Sequence, residues 1–331
     1  MLANPKWMKW KLDNPDAEDE EHKYFRIGSA IDTMLTDNEQ FHSEFKIVTA
    51  VRPFGLMAKF VDNLPFNLTK DSPVDMYQEA YEKSGYKMRI DRVWDKFWEN
   101  VDAVEYYESL CCEDDGRMVL SKDEFDTVIN MKELIMSNEF THRYFFSFDD
   151  QTEIHSQLPI YFEYKDLKCK ALMDGVIIDH RNKLIQPYDL KSTGKSVYSF
   201  EEWIPIYGYH RQAAFYMIAL KEWLKEKNEV AIAFGDDSLE DYTILPFRFI
   251  VVESKLSSKM PAIVYELSDH DMECGLNGGV PCQTKRYVKG INELIRDYKW
   301  HLKHDKWDLR KELYESEGIK ITNIFKRERN I

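Results

Sequence analysis

The spacing of apolar residues changes along the chain, and each change marks a different kind of element. After an acidic lead-in, Ile27-Gly28-Ser29-Ala30-Ile31-Asp32-Thr33-Met34-Leu35 reads as a helix start. From Met76 to Phe140 apolar residues recur at helical intervals, as in Tyr77, Tyr81, Val93, Phe97, Val101 and Val104 and then Phe125, Val128, Ile129 and Leu134, which predicts mostly helices. The period then shortens. Leu158 to Tyr164, Leu167 to Ile178 and Leu184 to Leu190 are β-like runs, separated by Asp166 and by Asp179-His180-Arg181-Asn182-Lys183, and they predict an antiparallel meander. A helical stretch from roughly Phe200 to Lys227 comes next, with Ile206, Tyr209, Ala213, Tyr216, Met217, Leu220 and Leu224 at spacings of three and four, suited to packing across the sheet. Tyr242 to Val252 and Ala262 to Leu267 resemble strands parted at Pro261, and the last predicted element is a helix near Val288 to Leu313. No internal repeat or low-complexity linker interrupts the series. The expectation is a single α/β domain over residues 1–331, with a mainly helical part over 22–140, a sheet-bearing core over 150–267 and a C-terminal helix over 285–315.

Composition narrows the function classes. With 331 residues, 44% hydrophobic and 14% aromatic, the chain can bury a sizeable core. A net charge of -14, from 59 acidic and 45 basic residues, argues against a protein that coats nucleic acid by bulk electrostatics, so any such contact must be local. Lys285 to Lys311 runs against the overall balance, with nine Lys or Arg and four acids, and reads either as a nucleic-acid-facing strip or as a solvated helix face. Trp300 and Trp307, seven apart within it, more simply pack than stack on bases. The six carboxylates between Asp13 and Glu21 are most simply a solvated lead-in. Five cysteines, including the adjacent Cys111 and Cys112, make no disulfide framework, and without a C-x-x-C neither zinc nor an iron-sulfur cluster is expected. No signal-peptide pattern opens the chain, and no apolar run nears the roughly 20 residues that span a bilayer, so a cytoplasmic location is expected.

The chemistry concentrates in Leu172-Met173-Asp174-Gly175 and, fifteen residues after Asp174, in Asp189-Leu190-Lys191. Alternation along a strand puts Asp189 and Lys191 on one face and Leu190 on the other. A hairpin through residues 179 to 183 sets Asp174 on the neighbouring strand near Asp189. Two close carboxylates repel and take up a proton unless a cation sits between them; a hard divalent ion with oxygen ligands is the natural occupant, and Mg²⁺ commonly takes only one or two protein carboxylates with water and a phosphate. The lysine ammonium can then favour hydroxide and offset charge growing on a phosphate. By itself D-x-K is a weak signal, and a solvated ion pair on a sheet is the bland account. The following helix adds weight, because Gln212 and Tyr216, four apart, project an amide and a phenol from one face.

Three stretches resemble the RecB-like branch of the PD-(D/E)XK nucleases, in particular the phage recombination exonucleases of the lambda exonuclease and exonuclease VIII type. They are Cys169-Lys170-Ala171-Leu172-Met173-Asp174, Tyr188-Asp189-Leu190-Lys191-Ser192-Thr193 and Gly208-Tyr209-His210-Arg211-Gln212-Ala213-Ala214-Phe215-Tyr216. Weaker likeness extends to Ile27–Ile31 and to Phe249–Glu253 with Pro261, so the resemblance spans about residues 22 to 267. It implies a restriction-endonuclease-like core, a central mixed sheet flanked by helices, and a metal-dependent deoxyribonuclease acting at duplex ends, 5′ to 3′, in DNA recombination or processing. Asp174 and Asp189 would ligate Mg²⁺ (or Mn²⁺) with the backbone carbonyl of Leu190, Lys191 would be the catalytic lysine, and Gln212 and Tyr216 would form the QxxxY element that orients them. Lys170, which parity puts on the strand face of Asp174, would meet DNA with Arg211, Ser192 and Thr193. Double-stranded DNA, a single-strand annealing protein, a ring-shaped homo-oligomer and, for a phage protein, the host cytoplasm are implied in the same way.

The sequence departs from the family twice. Asp32 stands where RecB-like members usually carry the His of Gly-x-x-x-His, and it is either a third ligand or helix surface. Many relatives place an acid on the first core strand near Gln157, for which Glu153 and Glu163 are the nearest candidates, and this leaves one metal or two open. Lys170 and Arg211 have solvated alternatives, and His210 reads more simply as a satisfied histidine than as a ligand. An endonuclease of the same fold, a non-catalytic DNA-binding or virion module, and an RNA substrate remain as alternatives.

Overall fold

A computed structural model describes residues 4–15, 23–48, 50–111, 116–147, 149–234, 238–284 and 286–320. Most of the acidic lead-in, Cys112 and Lys285 lie outside the described residues. Helices α1 (Pro5–Asp13), α2 (Lys23–Thr36) and α3 (Asn38–Glu44) precede strand β1 (Phe45–Val48); α4 (Gly55–Val61), α5 (Gln78–Ser84), α6 (Ile90–Glu99) and α7 (Val101–Cys111) precede β2 (Met118–Ser121) and α8 (Lys122–Met136). Then come β3 (Thr152–Tyr164), β4 (Leu167–Asp179), β5 (Leu184–Thr193), α9 (Phe200–Tyr207), α10 (Tyr209–Phe234), β6 (Thr243–Ile244), β7 (Arg248–Glu253), β8 (Ile263–Glu266), α11 (Asp269–Asn277), α12 (Ile291–His304) and α13 (Lys311–Glu315). Among the described residues no helix is long and apolar enough to cross a membrane.

The result is a mixed α/β arrangement around a six-stranded sheet ordered β3-β4-β5-β7-β8, with β6 beside the start of β5. β3, β4 and β5 form the antiparallel meander that the sequence predicts. β7 returns parallel to β5, as a helical crossover through α9 and α10 allows. One face of the sheet is covered by α9 and α10, packed on Met173, Val176, Ile178, Phe247 and Phe249. The other carries α2, α3 and α8 against Tyr188, Leu190, Ile250 and Val252. A third cluster, centred on Phe60, Trp94, Phe97 and Tyr107, joins α4 to α7.

Several boundaries differ from the sequence expectation for local reasons. Within the region expected to be mostly helical, Met118–Ser121 pairs in parallel with Phe45–Val48, a two-stranded sheet whose four-residue strands are too short for periodicity to register. The long helix breaks at Gly208, whose φ of 79° ends α9 in the left-handed conformation that glycine tolerates. Pro246 lies between β6 and β7, where the sequence predicts one run from Tyr242 to Val252. The last expected helix stops at Asp305, at φ 47°, and resumes as α13; α11 has no counterpart in the sequence expectation.

Two features of β3 and β4 shape the sheet around Asp174. The tip of the pair is a two-residue turn, Lys165-Asp166, with φ of 50° and 56°, the left-handed pair that suits a hairpin. Midway, Gln157 adopts φ 47° and the Gln157–Asp174 pair is missing from an otherwise unbroken register. Toward the tip Ala171 and Met173 face α10, whereas beyond the break Val176 and Ile178 do, so the strand changes phase at Asp174. β3 changes with it, from Leu158 and Ile160 to His155, whose ring meets Trp223 of α10.

Candidate active site

The β4–β5 ladder ends at the pair Gly175–Tyr188. From there β4 continues with β3 alone, while Asp189 to Thr193 pair only with β7, so the two strands part and leave Asp174 and Asp189 at the vertex. Gly175 is required at that point: a Cβ on it would lie 1.9 Å from the Tyr188 ring. The ring packs edge-on against Tyr144 and Phe145, and its hydroxyl donates to the Tyr144 carbonyl at 2.7 Å. The vertex is therefore fixed by packing behind it.

Five of the expected side chains meet there: Asp174, Asp189, Lys191, Gln212 and Tyr216. The Leu190 amide donates to Asp174 Oδ2 at 2.8 Å. Lys191 Nζ lies 2.5 Å from Asp189 Oδ2, and its ammonium faces the rings of Tyr209 at 5.0 Å and Phe249 at 6.0 Å. Gln212 Nε2 donates to Asp189 Oδ1 at 3.0 Å and lies 3.2 Å from the Tyr216 hydroxyl oxygen. Tyr209, Gln212 and Tyr216 are three and four apart on α10, so one helix stripe supplies the aromatic wall, the amide and the phenol. The spacing of Tyr209 is visible in the sequence, but its place beside Lys191 is not; Phe249, from β7, gives no such signal.

Asp189 is 1% exposed, and its Oδ2 has the ion contact with Lys191 but no partner in hydrogen-bond geometry. Burial, then the neighbouring Asp189 and Asp32 charges, push the Asp174 carboxyl well above the usual range, against the pull of Lys191 and the Leu190 amide. Burial and the Asp189 charge raise Asp32, on α2, to about 7, with Lys191 opposing. Burial also raises Asp189, against Lys191. Burial disfavours the Lys191 ammonium, yet Asp189 and Asp174 outweigh it and raise its pKa. We assign the ion pair to Asp189 and Lys191 and the retained protons to Asp174 and Asp32, because one ammonium cannot neutralise three buried carboxylates.

Asp32 is half-buried on α2, and its carboxyl feels the charges of Asp189 and Lys191. Its helix reaches β5 closely enough that a Cβ on Gly28 would lie 4.0 Å from Ser192 Oγ. Glu153 and Glu163 are not brought in: Glu153 bonds His180 at 2.9 Å and His155 at 3.1 Å, and Glu163 is exposed opposite Lys168 near the hairpin tip. Lys170 is exposed on β4, four residues before the phase change. Ser192 follows Leu190 toward α2, and Thr193 Oγ1 accepts from the Lys195 amide at 3.1 Å. Arg211 is turned away and donates to the Lys289 carbonyl at 3.3 Å. His210 is buried with Nδ1 3.4 Å from the Ile204 carbonyl, and Trp307 is buried against His301.

Among the described residues no three His, Cys, Asp or Glu side chains form a ready-made metal cage. Asp174 and Asp189 supply two carboxylates, a number of protein ligands that Mg²⁺ commonly takes, with water and substrate in the remaining positions.

No protein-family model and no curated protein matches the chain. Among solved structures, a protein from Eubacterium rectale provisionally described as an exonuclease is similar at TM-score 0.42 and 12% identity, over 97% of this chain and 84% of the other. At that similarity, the chemistry of the site is judged from this chain's own residues.

Proposed function

We propose that this chain is a metal-dependent deoxyribonuclease of the PD-(D/E)XK kind, working at duplex ends. The observation that carries the proposal is the vertex itself. Two aspartates from adjacent, parting strands and a lysine two residues beyond the second converge on one buried spot, with more negative charge than the lysine can neutralise. Such a site stores a demand for a cation. Asp189 Oδ2, buried with an ion contact to Lys191 but no partner in hydrogen-bond geometry, fits the same demand. Asp174, Asp189 and the Leu190 carbonyl would hold Mg²⁺, with Asp32 within electrostatic reach. When bound, Mg²⁺ supplies positive charge that lowers the pKa of water and polarises a phosphate.

The chain's own groups divide the remaining work. Lys191, kept in the ammonium form by Asp189 and Asp174, offsets negative charge gathering on the phosphate. Gln212 fixes Asp189 through Oδ1 and leaves Oδ2 to turn toward a cation. Tyr216, beside Gln212, keeps its proton because burial raises its pKa, so it remains a hydrogen-bond donor for the nucleic-acid backbone. Tyr209 and Phe249 shield Lys191 from water on one side. Preference for ends, 5′ to 3′ direction, a ring-shaped assembly and an annealing partner belong to the same proposal and rest on the sequence resemblance.

The test is degradation of linear duplex DNA by the purified chain with Mg²⁺, compared with Asp189→Asn and Lys191→Ala. Each variant should lose about 100-fold or more of the rate while still folding. Equal cutting by both variants would refute the assignment. Covalently closed circular DNA should survive, and its cleavage would replace the exonuclease with an endonuclease.

A further inference from the structure

Arg211 sits beside the catalytic stripe of α10 without joining it. Gly208 has no side chain at φ 79°, and a methyl there would lie 2.2 Å from Arg211 Nη2, so the guanidinium folds back over the glycine. It lines a cavity of about 830 Å³ bounded by the end of α9, the start of α10, Thr284, residues 286–289, α12 and α13. Burial lowers the Arg211 pKa, and its guanidinium has a carbonyl partner, that of Lys289, but no carboxylate among the described residues. A half-buried cation in that state is costly until an anion arrives.

The rest of the lining repeats the imbalance. Arg211, Arg286, Lys289, Arg310, Lys311 and Lys320 face two acids, Asp297 and Glu312, an excess of four positive charges in a chain of net charge -14. Lys289 is ion-paired with both acids, and Lys311 with Asp297 and Glu315. Arg211, Arg286, Arg310 and Lys320 form no ion pair among the described residues. Guanidiniums left unpaired around one cavity present the forked donors that phosphate oxygens fit. Beside them the wall is apolar, from Ile206, Val288, Leu294 and Leu313, with Ile206 53% exposed. Phosphate donors next to an apolar wall match a ligand with a charged end and a flat, weakly polar body.

Close backbone packing holds one side of the cavity. Gly279 and Val288 exchange backbone hydrogen bonds of 3.0 and 2.8 Å, and a Cβ on Gly290 would lie 2.3 Å from the Gly278 amide nitrogen. A Cβ on Gly275 would lie 2.3 Å from the His210 carbonyl oxygen, so α11 is pressed onto the first turn of α10. Arg211 is thus presented from a fixed turn of α10.

We propose that this cavity is a second site that binds a phosphate-bearing nucleotide, with phosphate among Arg211, Arg286 and Arg310 and the base against Ile206, Val288 and Leu294. A nucleotide of a nucleic-acid strand and a free nucleotide share that chemistry. Arg211 and Gln212 are consecutive on α10, so an occupant of the cavity lies against the same helix turn that holds Asp189.

The experiment titrates the full chain in EDTA, where no cutting occurs, with a labelled single-stranded oligodeoxynucleotide by fluorescence anisotropy and with dAMP by calorimetry. R286A/R310A, which alters two exposed side chains, should weaken binding at least about tenfold and reduce the salt slope for the strand by about 1.4, at about 0.7 per phosphate contact. R286K/R310K should recover part of the affinity, and the remote charge control K83A/R89A should bind like the unaltered chain. Binding of the strand alone identifies a strand as the occupant, and binding of dAMP alone a free nucleotide. No binding of either ligand, or undiminished binding by R286A/R310A with an unchanged melting temperature, overturns the proposal. Because the measurement needs neither metal nor cleavage, its failure leaves the deoxyribonuclease proposal untouched.

Discussion

The protonation of individual carboxylates decides how the metal-free site behaves. Asp32 holds its proton up to about pH 7 in the folded chain, against an ordinary value of 3.8. The native state therefore binds more protons than the unfolded one over that interval, so its contribution to stability is fully present below 3.8 and is lost as pH climbs through about 7. Asp174, also raised, acts in the same direction. In EDTA, urea midpoints should fall between pH 4 and pH 8, by a free energy on the order of a few kcal/mol, and Asp32→Asn should flatten the fall. Coincident profiles for the two proteins would clear Asp32 of the role. At Gln212 the expectation is separable from folding. Gln212→Ala strips Asp189 Oδ1 of its donor and should cost about 1–3 kcal/mol by denaturation, with an activity loss larger than that of Tyr216→Phe, which keeps the Gln212–Asp189 bond. That Asp174, Asp189, Lys191, Gln212 and Tyr216 lie together follows from strand alternation, a hairpin and an i, i+4 helix pair, although D-x-K alone is a weak signal and only the helix pair and the family resemblance add weight to it. Lys170 and Arg211 are not drawn into that cluster: one is exposed on β4, and the other follows a helix turn that aims consecutive residues into different spaces.

Among the elements, the meander and the crossover helix are readable from their periods, since a thirteen-residue strand and a long amphipathic helix each sample their repeat several times. β1 and β2 are not, because four residues sample too little of it. The parting of β4 from β5 is also invisible, as it depends on which strand each half of β5 chooses. Gly175 is the accessible handle on that geometry. Gly175→Ala drives a methyl into the Tyr188 ring and should destabilise the chain by roughly 1–3 kcal/mol, with a disproportionate loss of cutting as Asp174 moves from Asp189. An alanine variant with unchanged stability would show that the ring can shift aside, and that the vertex is less rigid than the contact implies.

For the whole molecule, the charge of -14 opposes association with nucleic acid except where local cations collect, so under the two proposals above the sites on α10 would carry it against the rest of the surface. Under the same proposals a divalent metal would be a stabiliser. At pH 8, above the value of about 7 to which Asp32 is raised, Mg²⁺ at 100 times its Kd should add about 2.7 kcal/mol and raise the melting temperature, and Asp189→Asn should abolish most of that rise. An equal rise in both proteins would place the ion elsewhere. Finally, β3 and β4 exchange faces together, at Gln157 and Asp174. Neither strand can then gain or lose one residue alone without turning part of its length inside out. Drift in hairpin length is confined to matched changes or to the Lys165-Asp166 tip, which makes this arm a fixed ruler from its bend to its base while its end stays free to vary.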